Sequence, residues 1–115
     1  MSEKIYGVDI NSNFSAEDVR DAMIVCFSQA HEDVLSQTFE SGVLSAEEIK
    51  NLKQINVVLM VKQMFEKIGG DYFKPTKESL IEVAGSLKEF ARNFRSDAVV
   101  EKHYTEIMRL VEKLK

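Results

Sequence analysis

The side chains in this sequence that could carry out chemistry are two histidines, His31 and His103, and one cysteine, Cys26. A di-iron helical bundle would need Glu-x-x-His pairs, but Ser28 and Val100 stand three residues before the two histidines. A single cysteine also cannot form a cysteine-based zinc cage within one chain. The sequence therefore predicts neither a metal site nor a cofactor.

Cys26 could act as a nucleophile only with a base close to its thiol. His31 follows five residues later, about 140° further around a helix, so the two side chains do not share a helix face. We therefore predict that the protein is not an enzyme. The alternative left open is a small-molecule-binding bundle or minor enzyme with a pocket lined by His31, His103 and Tyr104.

Two aromatic residues, Tyr72 and Phe73, follow the glycine pair Gly69-Gly70. The glycines predict the end of a helix. The segment lacks the Lys-Ser/Thr pair of a phosphate-binding loop. The aromatic side chains therefore either pack against the end of a helical bundle or form a possible anchor for a partner.

A short basic ridge over Lys88–Arg95 is formed by Lys88, Arg92 and Arg95. It leaves a nucleic-acid accessory role as a further alternative. However, the chain has a net charge of −4. Nucleic-acid binding depends on larger clusters of cations, so we do not expect nucleic acid as the partner.

The elements that must position these residues fit one domain of 115 residues, with 44% hydrophobic and 30% charged residues. One proline and five glycines are too few for a many-turned β-sandwich. The chain has no signal-peptide pattern at its start, and no stretch reaches the roughly 18 apolar residues of a membrane span. We expect a cytoplasmic protein with no membrane segment.

Helix starts are the clearest local signals. Ser15 and Asp18 form a capping-box pattern, Ser45 and Glu48 repeat it, and Thr76 is a third candidate cap. With the apolar periodicity, these signals predict an all-α, antiparallel up-and-down four-helix bundle over residues 14–115. The predicted helices cover residues 16–41, 46–68, 77–94 and 97–114.

Two boundaries depend on further arguments. The apolar stripes before and after Asn93–Asp97 differ in phase by about 180°, so we expect two helices with Ser96 as N-cap rather than one long helix with two faces. Residues 1–13 contain only a short apolar pattern. We expect an irregular or extended segment there, with no pairing partner in its own chain.

The segment Ile55–Val61 is apolar all round the predicted second helix, with Asn56 as its one polar residue. Such a helix must be covered on all sides, so it is either the centre of the core or half of an interface. We predict a small non-enzymatic interaction module that self-associates as a homodimer and can bind a protein partner. The predicted interface residues are Ile55, Val57, Val58, Met60, Val61 and Met64.

Overall fold

The structure of the chain, a computed structural model, describes residues 3–41, 47, 56–94 and 97–114. Within these ranges, two short strands and four helices follow one another. The strands are β1 (Lys4–Ile5) and β2 (Val8–Asp9), and the helices are α1 (Ala16–Ser41), α2 (Val57–Lys67), α3 (Lys77–Phe94) and α4 (Asp97–Glu112). The described chain is therefore mostly helical, with a small two-stranded sheet at its N-terminus.

The N-terminal segment forms a β-hairpin, so the expectation that it has no pairing partner in its own chain is wrong. The two strands pair antiparallel, with Ile5 opposite Val8. Between them, Tyr6 and Gly7 have φ angles of 49° and 85°. Positive φ at both positions is the mark of the type I′ turn, which matches the twist of paired strands. The sequence signal was weak because such turns usually contain Asn-Gly or Asp-Gly.

The capping box predicted at Ser15 is confirmed at the start of α1. The backbone amide of Asp18 donates to Ser15 Oγ at 3.2 Å, and the amide of Ser15 donates to Asp18 Oδ2 at 2.9 Å. A similar reciprocal pair joins Thr76 and Ser79 before α3, with distances of 2.9 and 3.1 Å. Each pair satisfies amides that a helix start leaves without a helical partner. The predicted cap at Ser45 lies outside the described residues.

The predicted helix over residues 46–68 is interrupted at Asn56: Glu47 is helical, residues 48–55 lie outside the described residues, and α2 begins at Val57. Asn56 has extended dihedral angles, φ −82° and ψ 104°, and its side chain accepts a hydrogen bond from the amide of Leu59 at 3.1 Å. Asn56 is therefore an N-cap, and the prediction that one helix continues through this residue is wrong. The physical reason is that a short amide side chain offers the backbone an alternative to the helical hydrogen bond.

The end of α2 follows the glycine signal in the sequence. The amide of Gly70 donates to the Phe65 carbonyl at 2.8 Å, and the amide of Gly69 donates to the Glu66 carbonyl at 3.0 Å. Gly69 has φ 76°. These two bonds and the left-handed glycine form a Schellman motif, which ends the helix and turns the chain towards Tyr72.

Helix α3 ends at Phe94 and α4 begins at Asp97. The two helices pack against each other, which two parts of one straight helix could not do, so they are two separate helices. The predicted cap, Ser96, lies outside the described residues. Helix α4 ends at Glu112 rather than at residue 114, and Lys77 Nζ donates to the Leu114 carbonyl at 3.0 Å beyond its end.

The core joins one face of each helix to the hairpin. On α1 the buried residues between Val19 and His31 recur every three or four positions, as the apolar periodicity of the sequence predicts. Among the described residues, no helix is both long enough and apolar enough to span a lipid bilayer. The larger core side chains are Ile5 and Ile10, Val19, Met23 and Phe27, Val61 and Phe65, Leu80 and Val83, and Val100, Ile107, Leu110 and Val111.

Candidate functional site

A hydrogen-bonded chain centred on His103 joins the hairpin to α1 and α4. The Tyr6 hydroxyl lies 2.7 Å from His103 Nδ1, and Asp33 Oδ2 lies 2.8 Å from His103 Nε2. The Tyr6 and His103 rings also stack, with their centroids 6.0 Å apart. The side chain of His103 is 7% exposed, whereas that of Asp33 is 55% exposed. We call these three residues the Tyr6–His103–Asp33 clasp.

The partners of His103 define where its protons lie. A carboxylate can only accept, so Nε2 carries a proton and donates to Asp33, while the Tyr6 hydroxyl is the hydrogen-bond partner of Nδ1. Burial, with a further contribution from nearby Cys26, raises the pKa of Tyr6 well above its ordinary value. The phenol therefore keeps its proton, and both ring nitrogens of His103 have a partner.

Cys26 lies next to the clasp on the buried face of α1. Its Sγ donates to the His103 carbonyl at 3.7 Å. Burial raises the pKa of the Cys26 thiol to about 12, and its hydrogen bond with Tyr6 opposes that rise. A thiol with this pKa holds almost no thiolate at neutral pH, so Cys26 behaves as a small core side chain.

The order phenol, imidazole, carboxylate is the order of a proton relay. Asp33 orients the ring, and His103 Nδ1 could accept a proton from Tyr6, but the raised pKa of Tyr6 opposes that transfer. The geometry therefore supports positioning more than proton transfer. The clasp holds the turn of the hairpin against α4, where the backbone of Tyr6 is in the left-handed region.

A second contact ties the hairpin to α4. Arg109 Nη1 and Nη2 donate to the two carboxylate oxygens of Glu3 at 2.8 and 3.1 Å. This guanidinium holds the pKa of Glu3 below its ordinary value. Because both side chains are largely exposed, the pair contributes less to stability than to the register of the hairpin on the helix.

An open groove of about 470 Å³ lies between the hairpin turn, α1 and α4. Of the predicted pocket residues, His103 lines this groove, whereas His31 and Tyr104 do not. His31 is buried on α1, and Tyr104 is half-buried against the core. Tyr6 is the residue that sequence reasoning missed, because no periodicity relates a hairpin residue to a helix 97 positions away.

Helix α2 carries apolar side chains on two faces. Val61 and Phe65 point into the core and are fully buried, whereas Val58 and Leu59 are 41% and 51% exposed. The part of the chain that the structure describes therefore leaves one side of this helix exposed. Val61 was among the predicted interface residues, but its side chain is fully buried in the chain's own core and is not exposed to a partner.

The other predicted interface residues divide in the same way. Half-buried Val57, Met60 and Met64 pack against the core, and Ile55 lies outside the described residues. Leu59, which sequence reasoning did not select, is more exposed than any of them in the described helix. Sequence reasoning missed that Asn56 starts a new helix, whose buried side is the one that carries Val61 and Phe65.

The predicted anchor residues lie beyond the C-terminal end of α2. Tyr72 is half-buried, with its ring edge-on to Phe65 at 6.0 Å between centroids, whereas Phe73 is 69% exposed. Lys62 Nζ lies 5.2 and 5.4 Å from the centroids of the Tyr72 and Phe73 rings. On the other side, the Arg20 guanidinium lies 4.7 Å from the Tyr72 centroid and donates to the Tyr72 carbonyl at 2.9 Å. The two cations therefore hold the aromatic pair in place.

Val58, Leu59, Lys62 and Phe73 form what we call the α2 surface. Val58 and Leu59 precede Lys62 by four and three positions, so all three lie along one side of the helix. Lys62 then bridges this side to Phe73. The α2 surface thus joins part of the predicted interface to the predicted anchor.

The side chains of the basic ridge, Lys88, Arg92 and Arg95, lie outside what the structure describes.

Comparisons of the chain with protein-family models, with curated proteins and with solved structures find no significant match. Any function must therefore be argued from the geometry of the described residues.

Proposed function

We propose that this protein is a non-enzymatic helical interaction module that forms a homodimer through the α2 surface. The observation that carries the proposal is the exposure of large apolar side chains there, with Phe73 the most exposed of them at 69%. Apolar side chains that lie together on a surface are typical of protein–protein contacts. Exposed aromatic side chains often dominate the energy of such contacts.

The charges along α2 favour a second copy as the partner. Lys62 and Glu66 lie one helical turn apart and have opposite charges. A two-fold axis that crosses the α2 surface at the level of residue 64 along the helix would pair two α2 helices antiparallel and set each lysine opposite the partner's glutamate. The same axis brings Val58 and Leu59 towards the end of the partner helix, beyond which Phe73 lies.

The test is a charge placed within the α2 surface. Val58→Asp buries an unpaired carboxylate if Val58 lies in an interface, but it is tolerated by the fold because the side chain is 41% exposed in one chain. Val25→Asp is the matched control, since Val25 is 38% exposed on α1 and lies away from the α2 surface. Both variants are examined by sedimentation velocity and far-UV circular dichroism.

We expect Val25→Asp to remain a dimer and Val58→Asp to become a folded monomer. Two results would contradict the proposal: a Val58→Asp variant that stays dimeric, and equal dissociation by both substitutions. If Val58→Asp unfolds the chain, Val58 belongs to the core and the proposal is wrong.

The scaffold included in this proposal is an antiparallel up-and-down bundle. Its support is the short connection between α3 and α4, from Phe94 to Asp97, because connections of this length join antiparallel neighbours.

We also propose a cytoplasmic location. A single buried cysteine suits a reducing compartment, because it requires no disulfide partner.

A further inference from the structure

We propose that the groove between the hairpin turn, α1 and α4 binds a small organic carboxylate with an apolar body. Each of the three elements supplies one wall, and the groove is lined by no residue of α2. The site is therefore separate from the α2 surface, and it can be tested whether or not the protein dimerises.

The apolar part of the site is formed by the hairpin and α1. Val25 is 38% exposed and faces the groove, where a ligand would remove it from water. Gly7 lines the opposite wall, and a Cβ atom built there would meet nothing within 4 Å. The groove therefore has room beside the turn for a ligand body against Val25, Tyr6 and Ile5.

The charged part of the site favours an anion. Lys4 and Lys102 line the groove from opposite walls, and neither forms an ion pair among the described residues. Among the described lining residues the acidic side chain is Glu106, which lies 3.6 Å from the Arg109 guanidinium, and the nearby carboxylate of Asp33 is paired with His103 at 2.8 Å. Gln29 adds an amide that can donate to a carboxylate oxygen.

The clasp positions these groups. His103 directly follows Lys102 in α4, and its hydrogen bond to Tyr6 fixes the distance between the hairpin wall and the helix wall. Tyr6 is a non-glycine residue in the left-handed region, where Asn or Gly would be less strained. We infer that Tyr6 is a positioning residue and that Lys4 and Lys102 contact the ligand.

The experiment is an NMR titration of the full chain with three probes. Benzoate combines a carboxylate with an apolar ring, benzamide removes the charge, and acetate removes the ring. We expect benzoate to shift the amide signals of Tyr6, Gln29 and Lys102 in a saturable way, with a dissociation constant of about 1 mM for so small a ligand in an open groove. Benzamide and acetate should bind several-fold more weakly.

Charge-removing variants identify the site. Lys102→Gln should weaken benzoate binding by about two- to fivefold, the usual effect of one exposed ion pair. Lys67→Gln, a matched control on α2, should leave it unchanged, and so should Val58→Asp. The proposal is overturned if benzoate produces no saturable shifts, if benzamide binds equally well, or if Lys102→Gln and Lys67→Gln behave alike. An unmodified chain that stays monomeric but still binds benzoate would count against the homodimer alone.

Discussion

The clasp can be tested by removing one oxygen atom. Tyr6→Phe keeps the aromatic ring that stacks on His103 and deletes the hydroxyl 2.7 Å from Nδ1. Asp33 still holds the proton on Nε2, so Nδ1 is left buried without a donor. Protonation of Nδ1 does not restore the hydrogen bond, because a phenylalanine side chain has no acceptor for the N–H group.

The expected loss can be estimated from the burial of the site. Removal of one partner from a buried hydrogen bond costs about 1–3 kcal/mol of the free energy of unfolding, because the remaining group stays desolvated. No cavity term is added, since the ring remains. With a urea slope of about 1–1.5 kcal/mol per molar for a chain of this size, the unfolding midpoint should fall by roughly 0.7–3 M.

The assay is urea unfolding followed by far-UV circular dichroism, with all proteins at one concentration because dimerisation would affect apparent stability. Tyr72→Phe is the matched control, since its hydroxyl has no hydrogen bond among the contacts of the described residues and its ring contacts would remain. We expect that control to stay within about 0.5 kcal/mol of the parent protein. If Tyr6→Phe is equally neutral, the clasp does not hold the hairpin and the reasoning is refuted.

Two further predictions concern the buried thiol and the first helix cap. Burial raises the pKa of Cys26 from 9.0 to about 12, so at pH 8 the native protein should hold about a thousandfold less thiolate than the unfolded chain, and a disulfide reagent should label it correspondingly slowly. The contribution of this pKa shift to the stability of the fold is fully present below pH 9 and is lost as the pH rises towards 12. Labelling that is fast in native buffer and insensitive to urea would contradict the predicted low thiolate fraction of Cys26. Ser15→Ala should lower the free energy of unfolding by about 1 kcal/mol, whereas Ser15→Asp, which keeps an acceptor at the cap, should restore most of it. Equal stability of these two variants in urea unfolding would show that the capping box contributes nothing.

Local chemistry explains what could be predicted from the sequence. Ser15 and Asp18 lie three residues apart, and their pairing depends only on the geometry of a helix start. The same holds for Gly69 and Gly70, whose backbone freedom ends α2. Helices α1 and α3 span residues 16–41 and 77–94, which are the ranges predicted from the sequence.

Competition between signals explains what went wrong in the second helix. The sequence presents Asn56 as a polar interruption of an apolar helix, whereas its side chain caps a new helix. The angular positions of residues 57–67 relative to one another do not depend on where the helix starts, but a start at Asn56 separates this segment from the apolar stripe that precedes it, so its own stripe decides which side is buried. Val61 then belongs to the core and Leu59 to the surface, although both were equally apolar in the sequence.

Long-range packing explains what the sequence could not show about the clasp. Tyr6 and His103 are 97 residues apart, and Asp33 and His103 are 70 apart. No spacing rule connects a hairpin turn to the middle of two helices. His103 could be selected as a residue able to do chemistry, but its partners became visible only once the hairpin was placed on α4.

The most direct test of the account is the mass of the unmodified chain in solution. Light scattering over concentrations of about 10 to 100 μM covers a range in which weak dimers assemble. One chain has a mass of 13.1 kDa, and the proposed contact through the α2 surface predicts a species of twice that mass as concentration rises. A mass that stays at 13.1 kDa throughout would contradict it.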